Sequence, residues 1–296
     1  MRNDSVFIGY IFLFLNLITW GAYPVASHFL VFQTDPLVFA GIVATLGSIP
    51  LLVLLAIKRK TNELLKSSSL PNFFAIGILS FLANFAFFQG TKLTSGINTS
   101  LLLQLEPIYA FFLSFFFLQE RYSKWYITAS LTILTGAVII VYRGIAVPNL
   151  GDLLIAITPL FYQVAHVFAK RLMLKVKDPD IISTARQIIT GVLLITLATL
   201  RNPKWYLTEI RQDQILPMII FAVIFISLDT ATWYQAIKRL PLAKASSFLP
   251  ISALIAFFGS LFFLGETVGS QQVLGAIFIL GGLVWISLQS LAVFKK

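Results

Sequence analysis

Four ionisable side chains, Glu106, His166, Arg186 and Asp229, stand inside long apolar runs of the sequence. A charge at the centre of a lone membrane helix costs about 2.5 to 3.5 kcal/mol on insertion scales, so each is expected to face protein or a wet cavity. A carboxylate in that setting can bind a substrate amine or carry a proton. Glu106 and Asp229 are therefore candidates for both tasks, with a structural bridge from Arg186 to one of them as the alternative. His166 is a third proton-coupling candidate because imidazole titrates near neutral pH, and the competing role is a neutral hydrogen-bonding group.

The runs that must position these groups are each about 20 apolar residues long, the length that spans hydrocarbon. They are Val6 to Leu30, Pro36 to Ile57, Pro71 to Gly90, Ile97 to Leu118, Trp125 to Tyr142, Leu150 to Leu172, Pro179 to Leu200, Ile215 to Ile237, Ala243 to Leu264 and Gln271 to Val293. Counted in that order, helix 1 carries Trp20, Tyr23, Pro24 and Ser27 at spacings of three and four, which places them on one face. Helix 6 does the same with Pro159, Tyr162, Gln163, His166 and Lys170. Asn84 and Gln89 lie in helix 3, Gln104, Glu106 and Tyr109 in helix 4, and Asp229 and Trp233 in helix 8. Aromatic rings pack against an apolar or cationic part of a solute, while amides and carboxylates take its polar ends. These residues are the candidate substrate-binding set, against the plainer roles of helix packing and interfacial anchoring. Pro24, Pro107, Pro159 and Pro250 mark helices 1, 4, 6 and 9 as places where irregular backbone lines a cavity, or where a helix simply kinks.

The chain contains itself twice. Shifted by 146 positions, Phe88 to Glu120 falls without a gap on Tyr234 to Glu266, so that Gln89 meets Gln235, Ser114 meets Ser260 and Glu120 meets Glu266. Gly136 and Gly282 coincide at the same offset and suit close helix contact, within the chain or at a dimer interface. The predicted division is residues 1–146 and 147–296. Five helices per half is an odd number, so the second copy enters the membrane inverted, around a central cavity. The predicted fold is an all-α integral membrane protein of ten helices in two inverted five-helix repeats.

Composition agrees, with 58% hydrophobic residues, 11% charged and a mean hydropathy of +0.88. The net charge of +10 sits in short loops rather than on one face, which reads as membrane orientation and not as a nucleic-acid footprint. Sixteen of the 22 Lys and Arg residues fall on one side if the N-terminus is cytoplasmic, so both termini are expected there. The first apolar run is far longer than a signal-peptide core and is read as a retained helix. The absence of Cys excludes disulfides and thiolate metal sites. No metalloprotease, phosphate-loop or Ser/His/Asp pattern is present, so neither enzyme activity, nor a metal, nor a cofactor is expected. The predicted partners are a small-molecule substrate and the lipid bilayer, with the protein a monomer or homodimer.

The stretches LEPIYAFFLSFFFLQERYSKWYITASLTILTGAVII and LPISALIAFFGSLFFLGETVGSQQVLGAIFILGGLVWI resemble the two EamA domains of the drug/metabolite transporter superfamily: a Pro, an apolar run, a closing Glu, then a glycine-marked helix. Trp20-Gly21 and the Asp-Pro pairs opening helices 2 and 7 fit the same pattern, and the resemblance covers essentially the whole chain. It implies a bacterial-type inner-membrane transporter that exports or exchanges small metabolites such as amino acids or amines, with a cavity between helices 1, 3, 4, 6, 8 and 9. Drug-type or nucleotide-type solutes, and a ligand sensor that does not translocate, are the alternatives. An arginine often seen in helix 2 of each repeat occurs here only as Arg186.

Overall fold

The computed structural model describes residues 2–66, 68–118, 124–141, 149–240, 245 and 248–293, and among these every regular element is helical. Helix α1 spans Arg2–Val31, α2 Pro36–Ile57 and α3 Leu70–Leu93. Helix α4 runs over residues 96–118 in three consecutive pieces, Gly96–Leu102, a 3-10 turn at Leu103–Leu105, and Glu106–Leu118. Helices α5 (Lys124–Val141), α6 (Leu150–Leu172) and α7 (Pro179–Arg201) follow. Helix α8 (Gln212–Arg239) contains a π-helical segment at Ala222–Leu228, and α9 (Leu249–Phe263) and α10 (Ser270–Val293) complete the bundle.

Among the described residues, α1, α2, α3, α6, α7 and α8 are long and apolar enough to cross a membrane, whereas the apolar stretches of α5, α9 and α10 are shorter. Large apolar side chains such as Phe14, Phe29, Val192 and Phe262 cover the outside. In a bilayer that surface meets lipid, and the helices satisfy their own backbone groups. The chain is thus an all-α, multi-pass membrane protein. The predicted boundary between residues 146 and 147 lies outside the described residues.

Three repeat-related pairs, α2 with α7, α4 with α9 and α5 with α10, lie against each other antiparallel, whereas α1 packs on α8 and α3 on α6. Gly41 of α2 sits against Ile195 of α7, and Gly191 of α7 against Thr45 of α2, so positions rise along one helix as they fall along the other. The pair α4 and α9 behaves likewise, with the Ser100 and Ser260 hydroxyls 3.0 Å apart and Gly96 against Leu264. In α5 and α10, a Cβ on Gly136 would come within 2.7 Å of the Gly275 carbonyl oxygen, and one on Gly282 within 2.5 Å of Ile133. Both glycines are therefore used inside the chain, where they let two backbones approach.

The opening Asp-Pro pairs explain how α2 and α7 begin and why they meet end to end. Asp35 accepts from the Leu37 and Val38 N–H groups at 2.9 and 3.2 Å, and Asp178 from Asp180 N–H at 3.1 Å, with Pro in the first helical turn of each. Antiparallel packing puts each acidic cap beside the basic end of the other helix: Arg201 lies 3.4 Å from Asp35, Lys60 donates to Asp178 at 2.6 Å, and Lys58 pairs with Asp180. Glu266, just past α9, accepts from the Gly96 and Ile97 N–H groups at 2.7 and 2.8 Å, so one half closes the exposed start of a helix in the other. Its repeat counterpart Glu120 lies outside the described residues.

Pro250 differs from expectation. It stands in the first turn of α9 rather than within it, since that helix begins at Leu249 and not at Ala243, which lies outside the described residues. A proline is tolerated there because its missing N–H would have had no intrahelical acceptor.

Two outcomes follow from this packing. Gly136→Leu overpacks the α5–α10 contact and should lower stability by about 1–3 kcal/mol, read as a reduced thermal midpoint in detergent. Partial burial alone would push the Asp178 carboxyl up, but the Lys60 hydrogen bond, the Asp180 N–H and the Lys58 charge outweigh it and hold it below the usual aspartate range. A carboxyl with a depressed folded value stabilises above the ordinary range, and loses that contribution as pH falls through its folded value. Asp178→Asn should therefore lower the thermal midpoint at pH 7, and the gap to the unsubstituted protein should close below about pH 4.

Candidate functional site

Glu106, which is buried, and Asp229, which is half-buried, each follow directly on a break in the α-helical backbone, and the first break has a readable cause. Pro107 has no N–H to give the carbonyl of Leu103, and that oxygen instead accepts from the N–H of Glu106, which tightens Leu103–Leu105 into a 3-10 turn ending at Glu106. In α8 the π-helical segment ends at Leu228, and Asp229 comes next. Within that segment the Ser227 hydroxyl faces the Ala222 carbonyl oxygen at 3.1 Å and the Gly47 carbonyl of α2 at 2.6 Å, binding the widened turn to the neighbouring helix.

Glu106 and Asp229 line one narrow cavity. Helix α1 contributes Asn16, Trp20 and Tyr23 to its wall, and α6 contributes Tyr162 and His166. Asn84 comes from α3, Arg186 and Gln187 from α7, and Phe225, Ile226, Thr230 and Trp233 from α8. Aromatic rings cross it almost continuously. Trp20 stacks on Tyr23 at 5.5 Å and meets the edge of Tyr162 at 5.9 Å, while His166 lies 6.4 Å from Tyr162 and 5.5 Å from Trp233. Two apolar clusters flank the space, one including Tyr23, Phe39, Phe88 and Phe221, the other Leu17, Phe73, Trp233 and Ile237.

Each carboxylate is held by the other half of the chain. Asn16 of α1 donates to Asp229 Oδ1 at 2.9 Å and to its carbonyl at 3.1 Å, and the Thr19 hydroxyl reaches the same Oδ1 at 2.7 Å. Gln163 of α6 donates to Glu106 Oε1 at 2.5 Å. Helices α1 and α6 are repeat equivalents, so the arrangement is reciprocal. Arg186 does not form the alternative structural bridge: among the described residues no carboxylate oxygen lies within 4 Å of it. Its guanidinium carbon instead sits 5.4 Å from the centre of the Tyr162 ring and 5.8 Å from that of Tyr234.

Of the residues named from the sequence, Trp20, Tyr23, Asn84, Glu106, Tyr162, His166, Asp229 and Trp233 meet at this cavity, joined by Arg186. Gln163 is one layer behind, on Glu106. Gln104 donates to its own helix at Ser100, Tyr109 donates to the Ala156 carbonyl at 3.0 Å, and Gln89 is half-buried; none of the three lines the cavity. Pro24 and Pro159 lie within continuous helices, away from the lining. The helix set also differs from the one the resemblance implied, because α7 contributes and, among the described residues, α9 does not. Helix α9 is occupied elsewhere, with Ile255 against Gly21 of α1 and Ser260 against α4.

Asn16, Thr19 and Gln187 escaped the sequence reading, although Asn16 precedes Trp20 by four and Tyr23 by seven on the same helix face. Phe225 and Ile226 carried no such signal, since the π-helical turn changes which face of α8 they occupy.

A duplicated helical bundle with irregular backbone and charge at its centre defines the class of two-repeat membrane transporters. Residues 7–142 and 149–288 each match the EamA-like transporter family, and the chain belongs to that family. It is similar to two Bacillus subtilis (strain 168) proteins. One is the uncharacterized transporter YoaV, at 23% identity over 90% of both chains, and the other is the uncharacterized transporter YyaM, at 26% identity over 72% of this chain and 70% of that one. A protein crystal structure at 17% identity superposes with a TM-score of 0.70, covering 98% of this chain and 99% of that one, and shares the fold. The protein is a transporter and not an enzyme.

The Thr19 hydroxyl can be tested by a double-mutant cycle. Thr19→Val should cost about 1–3 kcal/mol of stability, because it leaves a half-buried carboxylate short of a donor, and much less in an Asp229→Ala background, as measured by thermal unfolding.

Proposed function

We propose that the protein moves a small amphipathic metabolite bearing a cationic amine, an amino acid or a related amine, by alternating access. The observation that carries this reading is the pair Glu106 and Asp229, one from each half, on a single aromatic-walled cavity. Carboxylates at that depth attract a cation, and the rings of Trp20, Tyr162 and Trp233 suit both its charge and an apolar body. Antiparallel equivalent helices supply the means, since two similar halves that exchange conformations open one site to either side in turn. Export across a bacterial-type inner membrane with both termini cytoplasmic accords with the loop charges. The cavity residues named above all come from one chain, which accords with either a monomer or a homodimer. A small-molecule substrate and the bilayer are the partners, and the scattered basic loops offer nucleic acid no continuous face.

The test is a thermal-shift screen of amines and amino acids on the purified protein, followed by counterflow of labelled hits in proteoliposomes. Glu106→Gln and Asp229→Asn should each weaken binding of the best amine by about tenfold or more. No shift and no counterflow with any member of the panel would sink the proposal. Counterflow whose pH dependence is unchanged in both variants would remove these carboxylates, though not His166, as proton carriers.

A further inference from the structure

Buried polar groups nearly always find hydrogen-bond partners, so a cluster that does not requires an explanation. Among the described residues, the buried side-chain atoms without a partner include Arg186 Nε, Trp233 Nε1, the Tyr234 hydroxyl and His166 Nδ1. These four belong to one neighbourhood. His166 lies 5.5 Å from Trp233 and 6.1 Å from Tyr234 between ring centres, and the Arg186 guanidinium sits over the Tyr234 ring. Arg186, His166 and Trp233 line the cavity, and Arg186 is only 8% exposed. Two of the four atoms, the guanidinium N–H and the indole N–H, can only donate. Among the described residues no carboxylate oxygen lies within 4 Å of the arginine, so its guanidinium and the Trp233 indole N–H are donors without a carboxylate partner.

We infer that Arg186 and Trp233, with His166 and Tyr234 beside them, form an anion subsite that takes the carboxylate of the transported solute, while Glu106 and Asp229 take its ammonium group. This rests on the proposed function and narrows it from amines in general to zwitterionic amino acids. A carboxylate fits better than a phosphate or sulfate ester. The same cavity carries two carboxylates against one guanidinium, so a dianion would be repelled, whereas a monoanion attached to a cation is matched at both ends. The planar guanidinium also suits paired oxygens, and the rings of Tyr162 and Tyr234 hold it in place.

The proteinogenic amino acids are screened by thermal shift on the full-length protein, and each that binds is compared with its decarboxylated amine and its α-amide. The carboxylate-bearing form should bind at least about tenfold more tightly than either analogue. Arg186→Met should bring the three ligands to similar affinity. Trp233→Phe keeps a ring, reduces its area and removes the indole N–H, so it should weaken the amino acid several-fold more than it weakens the amine, and it answers the question if Arg186→Met does not fold. Amines and amides that bind the unsubstituted protein as tightly as the amino acid overturn the subsite and leave the amine-transport reading standing. Equal weakening of all three ligands by Trp233→Phe has the same consequence. Absence of binding by amino acids and amines alike overturns both.

Discussion

Placing Glu106, Asp229 and Arg186 within a hydrocarbon-embedded bundle is the constraint on which the rest of the structure depends. Water would solvate these groups cheaply, whereas here each needs a neighbour to replace it. Asp229 receives Asn16 and Thr19, Glu106 receives Gln163, and Arg186 rests against two tyrosine rings. Each replacement for the two carboxylates comes from a helix of the opposite half. The groups that are most expensive to bury are therefore also the ones that fasten the halves to each other across the cavity.

That fastening has a mechanical meaning. Helices α1 and α6 occupy equivalent places in the two repeats, and each grips the carboxylate of the other repeat. A change in what the carboxylate holds, whether a proton or a substrate cation, alters the acceptor that α1 or α6 is bonded to. Elsewhere the halves are joined by small residues in α5 and α10, capping aspartates between α2 and α7, and Glu266 on the start of α4.

The 3-10 turn before Glu106 and the π-helical turn before Asp229 occupy different places in the two repeats. Fold symmetry comes from long regular helices, and departures from it collect where polar groups must be aimed at a shared space. The partial legibility of α8 follows from this. A period of 3.6 residues carries Asp229 and Trp233 to the cavity, while an inserted π turn redirects Phe225 and Ile226 in a way no periodic reading anticipates.

Hydropathy, the 146-residue echo and the few ionisable residues in apolar runs were enough to determine a duplicated helical membrane protein whose chemistry lies at its centre. These properties are written locally, in the length of an apolar run or the recurrence of FFLQE as FFLGE. Tertiary structure alone decided which polar groups meet. It brought Asn16 and Thr19 to Asp229 across more than 200 residues, gave α7 a place on the cavity wall, turned Gln104 and Tyr109 elsewhere, and left Arg186 beside aromatic rings instead of a carboxylate. Such choices depend on helix rotation and crossing, which are set by the sum of many weak contacts along each interface and have no signature in any single segment.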